Sequence, residues 1–223
     1  MLITISRQYG ARGSEVARRV AEALGWRVVD NELIDRIAEQ AGVPAAEVAE
    51  HEESAPGFIE RLARALARSA PELFPSAPEE PPPEPAEARL VRVTERVVAD
   101  MASEGRIVMV GRAASAVLGR SEDALHVKIV APLRYRVAEI VRRRQVDDKE
   151  AERLIKESDG NRARYHEQYY HRQWHDAANY HLVINTEALG LEAATAVVVG
   201  RAKALWPDAT RERRTEGGGK REE

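Results

Sequence analysis

The 223-residue chain contains no cysteine, which excludes disulfide bonds and thiolate metal centres. It has no apolar run long enough to cross a bilayer as a helix, and because it opens on a strand-like segment no secretory leader is expected. An excess of one charge is missing too: the net charge of −3 draws the chain neither to nucleic acid nor to an anionic membrane. Aromatic residues are scarce at 5% while charged residues reach 32%, a balance that suits a helix-rich protein in water. These absences leave a cytoplasmic protein with one sizeable core, able to carry inserted subdomains, as the expectation.

What is present begins at the N-terminus. Ile3 and Ile5 alternate with Thr4 in the apolar run Leu2–Ile5, which predicts a buried strand. The run breaks into Ser6-Arg7-Gln8-Tyr9-Gly10-Ala11-Arg12-Gly13-Ser14. Val16, Val20 and Leu24 then recur every four residues, predicting a helix that ends near Gly25, and Trp26–Asp30 reads as a second strand. Strand, glycine-bearing turn, helix and strand make a βαβ unit whose turn lies where a helix N-terminus offers N–H groups to an anion. Phosphate is the natural guest. Aligned without a gap on the phosphate-loop pattern G-x-x-x-x-G-K-[ST], in its extended form ending G-K-G-T, Ser6 falls on the first Gly and Ala11 on the second. Arg12 falls on the Lys, Gly13 on the third Gly and Ser14 on the Thr; Gly13 alone is identical. Arg12 keeps the positive charge as a planar fork rather than a compact ammonium.

Further along, helices are expected over Asn31–Ala41, from Val43 to about His51 and over Phe58–Ser69. Ala70–Ala88 holds seven prolines among glutamates and reads as an exposed, extended loop. Arg89–Glu104 resumes as helix, Arg106–Val110 as a doubly buried strand, Ala113–Leu118 as helix and Ala124–Val130 as strand. A basic helix runs from Leu133 to about Val146, a second helix covers Asp147–Ser158, and Asp159-Gly160-Asn161-Arg162 reads as punctuation after it. Tyr180–Asn185 is the last strand and Gly190–Leu205 the closing helix, with a disordered tail over 210–223. Strands alternating with helices predict a three-layer α/β fold on a mostly parallel sheet, whose ligands bind at the carboxyl ends of the strands.

The order of these features resembles the cytidylate kinase-like family of P-loop nucleoside monophosphate kinases. The marks are Ile3–Gly10 with Arg12-Gly13-Ser14, Asp30 followed by Glu32-Leu33-Ile34, Val110-Gly111-Arg112, Val130-Ala131-Pro132 leading to Arg136, Asp159 with Arg162, and Tyr180–Thr186. The resemblance implies a P-loop NTPase-like core over 1–32 and 89–209, a lid at about 141–165, and a helical insert over 33–88, binding the nucleoside monophosphate and ending in the Pro-rich loop. It implies ATP and Mg²⁺ as cofactors and a nucleoside monophosphate or similar small phosphorylated acceptor as partner. Ser6, Tyr9, Gly10, Ala11, Arg12, Gly13 and Ser14 would hold ATP, with Ser14 beside the metal. Gly111, Arg112 and Asp30 would hold the acceptor. Arg12, Asp30, Arg143, Asp159 and Arg162 would serve the transfer itself, where arginines spread the charge of the transferring phosphoryl group. Ala113 stands where the family's cytidylate kinases carry an aspartate that helps read cytosine, so the acceptor base stays open.

Alternatives stand beside this reading. Asp30 could act as the base of a small-molecule kinase of the dephospho-coenzyme A or shikimate type, or simply cap a helix beginning near Glu32. The arginines could form a solvated helix face, with i,i+4 pairs such as Glu139–Arg143. A nucleotide-binding regulator without catalysis would also suit the altered loop. His171 and His175 stand at i,i+4 but lack the His-Glu-x-x-His arrangement, so His166, His171, His175 and His181 read as packing residues.

Overall fold

The computed structural model describes residues 1–30, 86–119 and 121–207, with 86–90 described by backbone alone. The helices expected over 31–69, the Pro-rich stretch up to 85 and the tail lie outside the described residues.

Strand β1, Leu2–Arg7, runs two residues past the expected Ile5, because Ser6 and Arg7 continue the ladder opposite Lys128 and Ile129. Helix α1, Gly13–Leu24, ends on Gly25 in the left-handed conformation that a helix C-terminus favours. Then come β2, Arg27–Val29, helix α2, Ala86–Glu104, and β3, Ile107–Val110. A short α3, Ala114–Val117, precedes β4, Ala124–Val130. Two long helices follow, α4 at Leu133–Arg144 and α5 at Asp148–Tyr170. A 3-10 turn at Ala177–Asn179 leads to β5, Leu182–Asn185, and to α6, Thr186–Leu205, which is kinked at Gly190.

All strand pairings are parallel, in the order β2-β3-β1-β4-β5. Alternation along each strand sorts the side chains. Ile3, Ile5, Val108, Val110, Leu125, Val127 and Ile129 pack with residues of α1 and α6, whereas Leu2, Ile107 and Met109 pack with Val97, Val98 and Met101 of α2. The expected three-layer α/β fold is therefore present. No described helix is long and apolar enough to cross a membrane.

Three local expectations need correction. Helix α2 starts at Ala86 rather than Arg89, immediately after the last proline, where the ban on helix ends. Asp159-Gly160-Asn161-Arg162 does not break a helix; α5 passes through it, because Asp159 and Arg162 point into a buried network and a single glycine costs a helix only about 1 kcal/mol. His171 is the left-handed C-cap of α5 and His175 lies beyond it, so the two do not share a helix face.

β4 carries a buried histidine with a defined proton. His126 Nε2 lies 2.6 Å from the Gly119 carbonyl, which can only accept, so Nε2 donates and Nδ1 accepts from the Thr4 hydroxyl at 2.7 Å. His181 stacks on it at 5.1 Å, and its Nδ1 accepts the His126 backbone N–H at 2.9 Å. Burial lowers the His126 pKa; the Gly119 bond opposes this, and the charges of His181 and Arg172 add to it. The unfolded chain therefore binds the extra proton more readily. Stability contributed by neutral His126 is present above the ordinary histidine value and lost as the pH falls below it. Melting temperatures are expected to drop between pH 7.5 and 5.5, and His126→Gln should flatten that dependence.

Candidate functional site

The carboxyl ends of β1, β2 and β3 open into one cleft of about 320 Å³. β1 sits centrally, with β3 and β4 on either side, so the loop that follows it lies where the chain switches direction across the sheet. Gln8 anchors this loop: its N–H donates to the Ile129 carbonyl at 3.0 Å and its Oε1 accepts the Ala131 N–H at 3.1 Å. Gly10 has φ +79°, and a Cβ there would stand 2.8 Å from the Arg136 carbonyl oxygen, so glycine is required. Gly13 has a different reason. A Cβ on it would meet the Arg7 Cβ at 2.4 Å. Gly13→Ala is expected to cost about 1–3 kcal/mol through overpacking and to deform the loop, read as a lower melting temperature together with weaker nucleotide binding by calorimetry.

The N-terminus of α1 opens on this cleft with no side-chain cap, and Gly13, Ser14 and Glu15 line it there. First-turn amides without helical acceptors form an anion site when an acceptor arrives. Arg7 and Arg112 enter from the strand ends, Arg142, Arg143 and Arg144 from the last turn of α4, and Arg162 from α5, with Arg12 beside the loop. Among the described residues lining the cleft, three carboxylates, Glu15, Asp30 and Glu139, stand against these seven arginines, a surplus of four positive charges. Asp30 lies 3.9 Å from Arg7, and Arg112 sits in a left-handed backbone turn with Gly111 and Ala113.

The sequence-predicted residues divide into two groups. Tyr9, Gly10, Arg12, Gly13, Ser14, Asp30, Arg112, Arg143 and Arg162 come together in the cleft. Others sit behind it. Ser6 belongs to β1 instead of the loop, and its Oγ accepts the Trp174 indole N–H at 2.9 Å. Ala11 is fully buried, its carbonyl accepting from Thr186 Oγ1 at 2.9 Å. Gly111 turns the chain after β3, its N–H bonded to the Ile5 carbonyl at 3.0 Å. Asp159 is buried as a clamp: Oδ1 accepts the Tyr9 N–H at 2.9 Å and Arg162 Nη1 at 3.3 Å, while Oδ2 accepts Arg136 Nη1 at 2.6 Å. Arg162 Nη1 also donates to the Arg7 carbonyl at 3.1 Å. Glu139 pairs with Arg142 at 2.8 Å and approaches Arg12 at 4.0 Å, rather than pairing with Arg143.

Lys128 escaped the sequence reading. It is 2% exposed, donates to the Trp174 carbonyl, and its Nζ lies 3.9 Å from the centroid of the Trp174 ring and 4.9 Å from that of Tyr180. Burial pulls its ammonium down to about 8; Asp159 opposes the shift and Arg162 adds to it. The available signal was a lysine inside a mostly apolar strand.

Among the described residues no cluster of three His, Asp or Glu side chains could hold a metal alone. Ser14 and Asp30 do bring hard oxygen donors to the cleft, which fits Mg²⁺ taking its remaining ligands from phosphate and water.

The family model described as the cytidylate kinase-like family matches residues 2–188. Among solved structures, an uncharacterized protein from Eubacterium ventriosum ATCC 27560 is similar at 19% identity and a TM-score of 0.66, covering 92% of this chain and 99% of its own, a likeness of fold. TT1252 from Thermus thermophilus aligns at 18% identity and TM-score 0.49 over 90% of this chain and 97% of its own. Shikimate kinase from Bacteroides thetaiotaomicron aligns at 13% and 0.48 over 92% and 97%. No curated protein matches the chain.

Proposed function

The chain belongs to the cytidylate kinase-like family, and from that premise we propose that it transfers the γ-phosphoryl group of ATP to a small phosphorylated acceptor, most simply a nucleoside monophosphate such as CMP. The charge of the cleft carries this reading. A magnesium–ATP complex and a phosphate monoester each bring about two negative charges at neutral pH, and together they match the surplus of four among the described lining residues. A carboxylate acceptor would leave that surplus unmatched.

Each group then has a task. The loop Gly10–Ser14 cradles the ATP phosphates with amides of the α1 N-terminus, and Arg12 supplies the charge a loop lysine would give. Arg112 holds the acceptor phosphate bidentately. Asp30 orients the acceptor, and Ser14 and Asp30 would hold Mg²⁺ in the cleft. The ion, when bound, would supply charge neutralisation to the phosphates. An acceptor oxygen forms the new bond to the γ-phosphorus as the bond to the β–γ bridging oxygen breaks and ADP leaves. Arg143 and Arg162 spread the charge on the transferring group, and Asp159 keeps Arg162 and the loop in register.

The test is ADP release from Mg-ATP with a panel of nucleoside monophosphates, dephospho-coenzyme A and shikimate, using Arg12→Ala as control. Turnover with CMP or UMP that vanishes in the control supports the proposal. Turnover with dephospho-coenzyme A or shikimate moves the function to a small-molecule kinase with Asp30 as base. ATP binding without turnover moves it to a nucleotide-binding regulator, and no nucleotide binding ends it.

A further inference from the structure

We propose that Glu15 is a positioning residue that holds Arg12 side-on at the loop mouth, so that an arginine performs there what a lysine performs in the common phosphate loop. This rests on the kinase reading above. An arginine in place of that lysine is not a neutral exchange, because the guanidinium is a wide planar fork with five donors while the ammonium is a point charge on a flexible stem. An untethered fork would lose rotamer freedom on gripping phosphate.

The geometry removes that cost beforehand. Arg12 is the N-cap of α1, with a left-handed φ of 59°. Its Nε and Nη2 both donate to one oxygen of Glu15, at 3.0 and 2.6 Å. The other Glu15 oxygen accepts from Arg19 at 3.0 Å, so the carboxylate is fixed from both sides along its own helix. Partial burial works to raise the Glu15 pKa, yet the guanidinium groups of Arg12 and Arg19 outweigh it and hold the carboxyl below its ordinary value. The Tyr135 side chain also favours the charged form of Arg12. The fork is thereby held at its Nε edge, while Arg12, Glu15, Gly13 and Ser14 line the same cleft. A lysine at this position could pair with Glu15 or with phosphate through its compact head, but could not be held rigidly at one edge and present another.

The competing reading is that Glu15 only stabilises α1, as an acid in a first turn does by meeting the helix dipole. A double-mutant cycle separates the two. Arg12→Lys, Glu15→Gln and the double variant are compared by kcat, by KM for ATP, by calorimetric affinity for a non-hydrolysable ATP analogue and by melting temperature. Arg12→Lys, although it restores the common residue, is expected to lower kcat about a hundredfold. Glu15→Gln should lower kcat about tenfold with KM for ATP changed less than about threefold, and should cost nothing further in the Arg12→Lys background. Wild-type kcat in Glu15→Gln, or equal losses in both backgrounds, overturns the proposal while leaving the kinase reading intact. A wild-type protein that binds no nucleotide removes both.

Discussion

Asp159→Ala is expected to lower the free energy of unfolding by about 3–5 kcal/mol, the usual result of removing one partner of a buried ion pair. The variant leaves Arg136 and Arg162 without the carboxylate that both donate to, and takes the acceptor from the Tyr9 N–H. Lys128 adds a third buried cation nearby, whose charged form Asp159 favours. Asp159→Asn keeps an acceptor but loses the charge, so it should fall between wild type and alanine. Urea denaturation of the three proteins measures this, and an alanine variant within about 1 kcal/mol of wild type would show that the pair does little.

Arg162→Ala is expected to act on the reaction instead. Its side chain is 12% exposed, with one nitrogen bonded to the Arg7 carbonyl and to Asp159 and the Trp174 ring 6.0 Å from its Cζ. A guanidinium held so firmly at the wall of the cleft loses little entropy on meeting a transferring phosphoryl group. Turnover should fall about 10³- to 10⁵-fold, as when an arginine finger is removed. Arg162→Lys should recover little of it, because an ammonium cannot keep the anchoring bonds and reach phosphate together. Kinetics of both variants beside their melting curves decide the matter: a loss of activity that follows the loss of folded protein would assign Arg162 to stability alone.

The sheet was legible because its signals are local. A continuous apolar run marks β3, fourfold recurrence marks α1, and the turn after β1 carries its glycines in plain view. What stayed hidden depends on partners far away in the chain. Gly160 next to Asp159 reads as a helix stop until Arg136 and the Tyr9 N–H are seen to hold that aspartate in place. Ser6 reads as loop until Lys128 and Ile129 extend its ladder. Lys128 has no visible purpose without Trp174, 46 residues on. Glu15 looks like any surface acid on a helix, and Glu139 like half of a solvated pair, until both are found beside Arg12.

The bond between the Tyr9 amide and Asp159 spans 150 positions. Contacts so distant in sequence form late, since closing a long loop must precede any gain from it. A nascent chain halted before residue 159 can pair its early strands, wind its first helix and anchor Gln8, yet the Tyr9 amide lacks the carboxylate that fixes the loop against Arg136 and Arg162. Competence to grip a polyphosphate should therefore arise only after the C-terminal half has been synthesised and packed. Shortened chains should gain secondary structure well before they gain affinity for ATP.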